Sequence, residues 1–517
     1  MGDISRRDFG RTLAGAIGAA SVVGAPSLTA GRSGSSRTNI VFVCSDIHSA
    51  RYSGYAGHPL VQTPNLDRIA ARGVVFSNNY CTQPVCAASR TGMLTGMFPS
   101  DSDSFCNSTL WNGKYPTWGT RLRDVGYNCR AVGKMDIDPS FDTGFQEIDT
   151  DHYHATNPDI TTLFRRPAGY RVNERPGVEG RFRTEPHHDA VVTDNALDFL
   201  KNDVPGLNNP WAIWIGLLQP LSGFNALKKY YDMYDALEID VPELPPGHIE
   251  DLHLVYQELR HFKRISVPLP REPQRRARVA YYGEISELDH NVGRIWSELE
   301  RSGQLDNTLF IYTSDHGGAL GEHGLWYHNH LYDEAIHVPL IMAGAGLPQG
   351  VTINTTVGHM DLVHTLLEFA GIDPPTGLRG HSLMPLIEGK SDAHPGYAYA
   401  EHHGSGNCTG SFALRKGDWK LISFTWYDDL LFNLAEDPGE FHNRINDPAA
   451  AGPKAELTAL LNSLVDPEEV TVRAFRTQQN FLERMVERQT EDQLYETFLS
   501  RLGNGQARAL AAKCKGR

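Results

Sequence analysis

Residues 39–44 read Asn-Ile-Val-Phe-Val-Cys, an apolar run that stops at Ser45-Asp46. The same pattern returns at 308–313, Thr-Leu-Phe-Ile-Tyr-Thr, which Ser314-Asp315 follows. Short runs of β-branched and aromatic residues are typical of strands that are buried on both faces. The two stretches therefore predict two strands of one sheet, each with a carboxylate at its C-terminal end.

Further strand-like and helical patterns surround these two runs. The strand-like runs are residues 211–218 and 339–343, and the helical patterns are residues 65–72, 118–125, 190–200 and 276–301. Apolar strands that alternate with helices predict an α/β fold, with a large, mainly parallel sheet covered by helices on both faces. Ligands bind beyond the carboxyl ends of such strands, so Asp46 and Asp315 predict one site.

The C-terminal third of the chain has a different pattern. Short strand-like pieces at 397–401, 411–415 and 419–424 predict a small antiparallel sheet with a helix, within residues 386–466. Residues 467–517 are rich in charge, and their apolar positions predict a helix with one apolar side. Those positions are Ala474, Gln478, Phe481, Leu482, Met485 and Val486.

The N-terminus has the pattern of an export signal. Paired arginines at 6–7 precede a mild apolar stretch, residues 12–25, and small residues at 28–30 could be cleaved. This pattern is typical of a twin-arginine signal, and its apolar part is too short to span a bilayer. An amphipathic helix is the alternative, but no helical period is present. We therefore expect an exported protein, periplasmic or secreted, without a membrane span.

The chain is accordingly predicted to have four parts. They are an export signal at 1–30, a catalytic α/β domain at 38–385, a small C-terminal α+β subdomain at 386–466 and a helical tail at 467–517.

The overall charge excludes one class of partner. Lys and Arg number 48 against 62 Asp and Glu, which gives a formal charge of −14. Nucleic-acid binding requires a basic surface, so the chain is not expected to bind nucleic acid. A small anionic substrate stays compatible with this charge, because a basic pocket can lie within an acidic protein. The 7 cysteines are too few and too scattered for a disulfide scaffold.

Three side chains near the strand ends could bind a metal ion. Asp46, Asp315 and His316 offer two carboxylates and an imidazole. Because most of these donors are oxygens, Ca²⁺ or Mg²⁺ is favoured and Mn²⁺ also fits.

Further groups suit an anionic ester. Arg90 and Lys134 supply the positive charge that binds a tetrahedral oxyanion. Cys86 precedes a helical pattern and could lie at a helix N-terminus, which favours anions. Together these groups predict cleavage of a sulfate or phosphate ester. The alternative is that each segment has a separate structural role.

The motif Cys86-x-Ala88-Ser89-Arg90, followed by Thr95-Gly96, resembles the sulfatase signature Cys-x-Pro/Ala-Ser-Arg…Thr-Gly. The resemblance extends over about residues 38–448. Similar stretches are 63–67, 306–308, 313–317 and 437–440. It implies the alkaline-phosphatase-like α/β fold and the hydrolysis of a sulfate ester.

The resemblance also implies roles for the nucleophile and its neighbours. A formylglycine-generating enzyme would oxidise Cys86 to formylglycine (3-oxoalanine). One hydroxyl of the hydrated aldehyde would attack sulfur and release the alcohol, and the other would lose a proton to expel sulfate. Arg90 would orient the formylglycine, and Lys134 would bind sulfate oxygens.

A divalent metal ion is the implied cofactor. Asp46, Asp315, His316 and the modified Cys86 would hold it, and Ca²⁺ is the ion that family members commonly bind.

Four positions depart from the family pattern. Ile47 stands where a second acid or amide is common, and Asp136 replaces the histidine of Gly-Lys-x-His. Leu221 follows proline where histidine is usual, and His328 replaces a lysine. His328 can still contact the substrate and protonate the leaving group. Asp136, also a candidate contact of the substrate, would repel an anion unless it is protonated, bound to metal or turned away.

The sequence therefore predicts an exported, formylglycine-dependent sulfatase that acts on a sulfate ester, such as that of a carbohydrate. A phosphodiester or phosphonate-ester hydrolase of the same fold is one alternative, since a monoanionic substrate needs fewer cations. A catalytically inactive homologue that binds sulfated glycans is the other.

Overall fold

The computed structural model describes residues 37–156, 158, 178–220, 223–499 and 504–516. The predicted export signal at 1–30 and the departure at Leu221 lie outside these residues. Within the described ranges no helix is both long enough and apolar enough to cross a membrane.

The strands, in chain order, are β1 (Asn39–Ser45), β2 (Gly73–Phe76), β3 (Asn79–Tyr80), β4 (Asn128–Lys134), β5 (Gln146–Asp151), β6 (Arg181–Arg183), β7 (Trp211–Gly216), β8 (Asn225–Leu227), β9 (Thr308–Ser314), β10 (Ala319–Leu320), β11 (Trp326–Tyr327), β12 (Leu340–Gly344), β13 (Val351–Ile353), β14 (Val357–Gly358), β15 (Tyr397–His402), β16 (Ser411–Lys416), β17 (Trp419–Phe424) and β18 (Leu430–Asn433).

The helices, in chain order, are α1 (Pro64–Ala71), α2 (Cys86–Thr95), α3 (Trp118–Asp124), α4 (Tyr153–Thr156), α5 (Asp189–Asp198), α6 (Lys228–Asp235), α7 (Leu254–Phe262), α8 (Arg271–Arg301), α9 (Asp333–Ile336), α10 (Met360–Phe369), α11 (Met384–Ile387), α12 (Ala451–Leu464), α13 (Pro467–Arg488), α14 (Glu491–Leu499) and α15 (Asn504–Cys514).

The large sheet has the order β13-β2-β12-β9-β1-β7-β4-β5, counted over the described residues. The five strands from β9 to β5 are parallel to one another, which confirms the predicted α/β class. β12 runs antiparallel to both β9 and β2. The apolar run at 339–343 did predict a buried strand, but an apolar pattern contains no information about strand direction.

Both faces of the sheet are buried, as continuous apolar runs require. Along β1, Ile40 and Phe42 pack on one face with residues of α2, α3 and α10, and Val41 and Val43 pack on the other with residues of α1, α5 and α8. Successive side chains of a strand point to opposite faces, so every residue of this run reaches apolar surroundings. The helices on both faces hold the strand ends in place.

The strand register brings the two predicted carboxylates together. Ser45 lies opposite Ser314 in the parallel ladder of β1 and β9, so the next residues, Asp46 and Asp315, leave the sheet side by side. The Asp315 N–H still donates to the Ser45 carbonyl oxygen, 3.1 Å away. Both acids are fully buried.

The predicted antiparallel sheet is present as β15-β16-β17-β18. Its fourth strand, β18, was missed because four residues are too few to show a pattern. Lys420 of β17 reaches Asp333 Oδ1 at 2.7 Å and Glu440 Oε1 at 2.8 Å, and all three groups are buried. This ion cluster ties the small sheet to the start of α9.

The one-sided helix predicted in the tail is α13. Ala474, Gln478 and Met485 are buried on one side of it, and the Gln478 side chain donates to the His403 carbonyl oxygen at 2.6 Å. α14 and α15 follow, and their apolar side chains pack with Met485. Both lie within residues 467–517, which were predicted as a helical tail, although the apolar pattern indicated only the helix that became α13.

Candidate active site

Four buried side chains meet where β1 and β9 end and α2 begins. We call Asp46, Cys86, Asp315 and His316 the strand-end cluster. Their potential ligand atoms all lie within 4.8 Å of one another. Residues 46, 315 and 316 were the predicted metal ligands, and the register of the strands accounts for their proximity.

His316 directs its Nε2 to this cluster. Its Nδ1 lies 2.9 Å from the Gly317 carbonyl oxygen, which can only accept a hydrogen bond, so Nδ1 carries a proton. Its Nε2 lies 3.8 Å from both Asp46 Oδ1 and Asp315 Oδ1, where it could serve as a metal ligand. Two carboxylate oxygens and one imidazole nitrogen form a donor set that fits a divalent cation.

Cys86 is the first residue of α2 and is buried beside the metal-ligand candidates. Its Sγ lies 3.4 Å from His316 Nε2 and 3.9 Å from Asp46 Oδ1. Burial raises the pKa of the thiol well above its usual value, and Asp46 raises it further. The unmodified side chain is thus a neutral thiol at the positive end of a helix.

Arg90, one turn along α2, binds the acids of both strand ends. Its Nε donates to Asp315 Oδ2 at 2.8 Å, and one of its terminal nitrogens lies 3.7 Å from Asp46 Oδ2. The other donates to the Lys134 carbonyl oxygen at 2.8 Å. A buried guanidinium with these partners fixes α2 against three strand ends.

The surroundings of Asp46 and Asp315 shift the pKa values of the two acids in opposite directions. Burial raises the pKa of Asp46, but Lys134, His316 and Arg90 outweigh it, so the pKa lies below the usual value. Burial, reinforced by the Asp46 carboxylate, raises the pKa of Asp315. The two carboxylates face and repel each other, and a cation bound between them would relieve this repulsion.

Lys134, the last residue of β4, lies beside the strand-end cluster. Its ammonium forms an ion pair with Asp46 and lies 3.6 Å from Asp136 Oδ2. It is only 3% exposed. The ammonium group of Lys134 therefore lies beside the strand-end cluster, between Asp46 and Asp136.

Asp136 is turned toward a histidine that the sequence analysis missed. The His154 N–H donates to Asp136 Oδ1 at 3.1 Å, and His154 Nδ1 lies 2.5 Å from Oδ2. Burial raises the pKa of Asp136, but His154 and Lys134 outweigh it and hold the pKa well below its usual value. Asp136 thus stays ionised, and its carboxylate is turned toward His154 and Lys134. His154 lies on the short helix α4, and no sequence motif includes it.

His328 lies next to His316 of the strand-end cluster. Its ring centroid is 4.4 Å from that of His316. Burial lowers the pKa of His328 well below its usual value, and the charges of His316 and Lys263 lower it further. The ring is neutral at neutral pH and keeps one N–H donor. Lys263 was not predicted; it donates to the His328 carbonyl oxygen at 2.5 Å and so holds this segment.

Ile47 has a left-handed backbone, with φ of 60°. This conformation is unusual for a β-branched residue and persists only where neighbours enforce it. Here the Tyr281 hydroxyl donates to the Ile47 carbonyl oxygen at 2.6 Å, and the Ile47 N–H points to Asp315 Oδ1 at 3.4 Å. The aliphatic side chain offers no ligand atom.

Comparisons with known proteins show the family to which the chain is similar. Residues 38–372 match the Sulfatase family model, and residues 321–466 match the model of the N-sulphoglucosamine sulphohydrolase C-terminal region. Arylsulfatase K of Danio rerio is 30% identical over 86% of this chain and 87% of its own length. Choline-sulfatase of Rhizobium meliloti (strain 1021) is 29% identical over 82% of this chain and 85% of its own.

Solved structures share the fold at lower identity. Phosphonate monoester hydrolase of Agrobacterium radiobacter superposes with a TM-score of 0.70 at 22% identity, over 83% of this chain and 95% of its own. A protein solved in complex with its substrate D-glucosamine-2-N,6-O-disulfate superposes with a TM-score of 0.67 at 23% identity, over 84% of this chain and 99% of its own. These two likenesses bear on the fold alone.

Proposed function

Because the chain belongs to the sulfatase family of sulfuric ester hydrolases, we propose that formylglycine at position 86 is its nucleophile and that a divalent metal ion assists it. The observation that supports this most directly is the position of Cys86. The signature cysteine begins α2 with its Sγ 3.4 Å from His316 Nε2 and 3.9 Å from Asp46 Oδ1. An oxygen nucleophile formed at this side chain would stand among the metal-ligand candidates.

We propose that Asp46, Asp315 and His316, with the modified Cys86, hold the metal ion. The two carboxylates favour Ca²⁺, while Mg²⁺ and Mn²⁺ use similar donors. Such an ion supplies positive charge at the sulfate oxygens and favours the deprotonated form of the nucleophile.

The remaining polar side chains have proposed roles around the nucleophile. Arg90 holds position 86 by fixing the start of α2, and Lys134 binds sulfate oxygens. Asp136 serves the substrate indirectly, by holding Lys134. The neutral His328 donates an N–H hydrogen bond to the ester oxygen of the substrate, whereas protonation of the departing alcohol would need the imidazolium form of His328, because a neutral imidazole has no proton to give up near neutral pH.

Charge counting supports a monoanionic substrate. When the histidines are left out of the count, Asp46, Asp136 and Asp315 outnumber Arg90 and Lys134 by one charge. A divalent cation would leave one net positive charge, which matches the single charge of a sulfate monoester. A phosphonate monoester or phosphodiester has the same charge and is the second candidate substrate.

For the alcohol we propose a carbohydrate. The match of residues 321–466 to the C-terminal model of N-sulphoglucosamine sulphohydrolase supports this choice. A panel of sulfated sugars, aryl sulfates, choline-O-sulfate, aryl phosphonates and aryl phosphodiesters tests it. We expect kcat/KM to be highest for a sulfated sugar, and preferential cleavage of the phosphorus esters would favour the second candidate.

Peptide mass spectrometry tests the nucleophile. Protein from a host with a formylglycine-generating enzyme should yield a residue-86 peptide in which an aldehyde has replaced the thiol, and turnover should rise with the aldehyde fraction. The enzyme purified from its native host with an unmodified Cys86 would contradict this mechanism, and it would favour a homologue that only binds sulfated glycans.

We also propose the domain division at 1–30, 38–385, 386–466 and 467–517, with twin-arginine export to the periplasm or beyond. Export of a folded chain would allow oxidation at position 86 before the protein leaves the cytoplasm. Replacing Arg6 and Arg7 together with lysine should retain the protein in the cytoplasm. Undiminished export of that variant would contradict the proposal.

A further inference from the structure

A second set of metal-binding side chains lies at the start of α10. Asp361 is the second residue of that helix, His381 lies between α10 and α11, and His394 lies just before β15. We call these three residues the loop cluster. They place one oxygen and two nitrogens within 4.8 Å of one another. Three separate segments of the chain thus converge at one point.

His394 supplies an independent indication of a ligand. Its side chain is 1% exposed, and its Nε2 has no hydrogen-bond partner among the described residues. The nearest acceptor, Asp361 Oδ2, is 3.4 Å away. A buried polar atom without a partner is costly, so this nitrogen requires an explanation.

The spacing of the two atoms fits a bound ion. Two ligands of a tetrahedral zinc ion lie about 3.3 Å apart, given metal–ligand distances of about 2.0–2.1 Å. The distance of 3.4 Å between His394 Nε2 and Asp361 Oδ2 is therefore long for a hydrogen bond but suitable for two ligands of one ion.

The backbone already fixes the carboxylate of Asp361. The Gly358 N–H donates to its Oδ2 and the His381 N–H to its Oδ1, each at 2.8 Å. Each oxygen accepts one backbone hydrogen bond and keeps a lone pair for a cation. His381 is exposed, which gives an ion a route to the cluster.

We propose that Asp361, His381 and His394 form a zinc site that joins the start of α10 to the segments on either side of α11. Two imidazoles and one carboxylate are donors that zinc prefers, and a water molecule would complete the four-coordinate ion. The strand-end cluster offers two carboxylates and one imidazole, and this larger share of oxygen donors suits a harder cation such as Ca²⁺.

Binding has a predictable structural cost. The Gly396 N–H now donates to His394 Nδ1 at 3.1 Å, which places the imidazole proton on Nε2. Ligation through Nε2 moves that proton to Nδ1, so the Gly396 contact must open. Zinc binding should therefore alter the local environment of the Gly396 N–H.

Isothermal titration of the metal-stripped full chain with Zn²⁺ tests the site, with excess Ca²⁺ present to occupy the strand-end cluster. We expect one equivalent of Zn²⁺ to bind wild type, and at least tenfold weaker binding by His394→Ala. His381→Ala should weaken binding similarly, and because His381 is exposed this variant should fold normally.

His442→Ala is the matched control. His442 Nδ1 also lies 3.4 Å from a carboxylate, that of Asp437, but this histidine is 79% exposed, and within the described part of the chain no third ligand joins the pair. Its removal should leave Zn²⁺ binding unchanged. Equal Zn²⁺ affinity of wild type and both loop-cluster variants would overturn the proposal, as would loss of binding in His442→Ala.

Discussion

The strand-end cluster and the loop cluster present similar side chains on different supports. The first stands at the ends of two paired strands and at the start of a helix, and all its members are buried. The second joins a helix start to two irregular segments, and one of its histidines is exposed. A ladder of backbone hydrogen bonds fixes the first, whereas in the second two backbone hydrogen bonds hold Asp361, and the proposed zinc ion would add the link to His394.

The two clusters also differ in charge. Two carboxylates of the strand-end cluster face Arg90 and Lys134, so buried negative and positive charges compensate one another where the substrate is proposed to bind. The loop cluster has one carboxylate and two imidazoles. The comparison teaches that rigid support with balanced charge suits catalysis, while a nitrogen-rich junction of loops suits a structural cross-link.

Replacing the predicted nucleophile should have the largest effect. Cys86→Ala is expected to lower kcat by about 10³-fold or more, because no other side chain can form the covalent intermediate. Turnover of a sulfate ester by modified enzyme measures this. Cys129→Ala, which alters a buried cysteine of β4, should keep kcat near wild type. Activity that survives Cys86→Ala would mean that the strand-end cluster does not contain the nucleophile.

Weakening the strand-end metal site should have the next largest effect. Asp315→Asn is expected to lower kcat/KM by about 10²-fold and to raise the Ca²⁺ concentration needed for half-maximal activity, because a neutral amide binds the ion less tightly. Zn²⁺ binding at the loop cluster should not change. Coupled losses at both places would show that the two clusters are not independent.

The contact between His154 and Asp136 should have a smaller effect. His154→Ala removes a hydrogen-bond donor from the carboxylate that lies beside Lys134, so we expect about a tenfold loss of kcat/KM, or about 1.4 kcal/mol. His154→Gln should recover part of it. His152→Gln is the control, since His152 contacts Glu147 and the Ile137 carbonyl. An unchanged kcat/KM in His154→Ala would remove His154 from the site.

A buried acid outside both clusters should have the smallest effect. Burial raises the pKa of Glu284 to about 8, and Arg183 offsets only part of this. The folded state then binds the proton more tightly than the unfolded state, so stability falls as pH rises from about 4.5 to 8. Glu284→Gln should remove this loss, which is about 1 kcal/mol between pH 7 and 8. Denaturant titrations at both pH values measure it, and parallel pH dependences of the two proteins would contradict it.

The sequence could predict the strand-end cluster because parallel strands end at one edge of a sheet. Asp46 and Asp315 each follow an apolar run, and the family motif identifies Cys86 and Arg90. The sequence could not predict His154, because its contact with Asp136 depends on the path of the chain after β5.

The loop cluster was equally hidden. Positions 361, 381 and 394 do not have the short regular spacing of known zinc motifs, so only tertiary structure brings them together. For the same reason the antiparallel direction of β12 could not be predicted, since direction depends on the connections between strands. Local patterns determine elements and their ends, whereas contacts between distant irregular segments require the folded chain.

The left-handed backbone at Ile47 offers an opportunity for protein engineering. Asparagine and aspartate adopt this conformation more readily than a β-branched residue does, so either could replace Ile47 without a new backbone cost. Each would also add an oxygen next to Asp46. The affinity of the proposed metal site could therefore be tuned by one substitution, at a position where the main chain already has the conformation that the new side chain prefers.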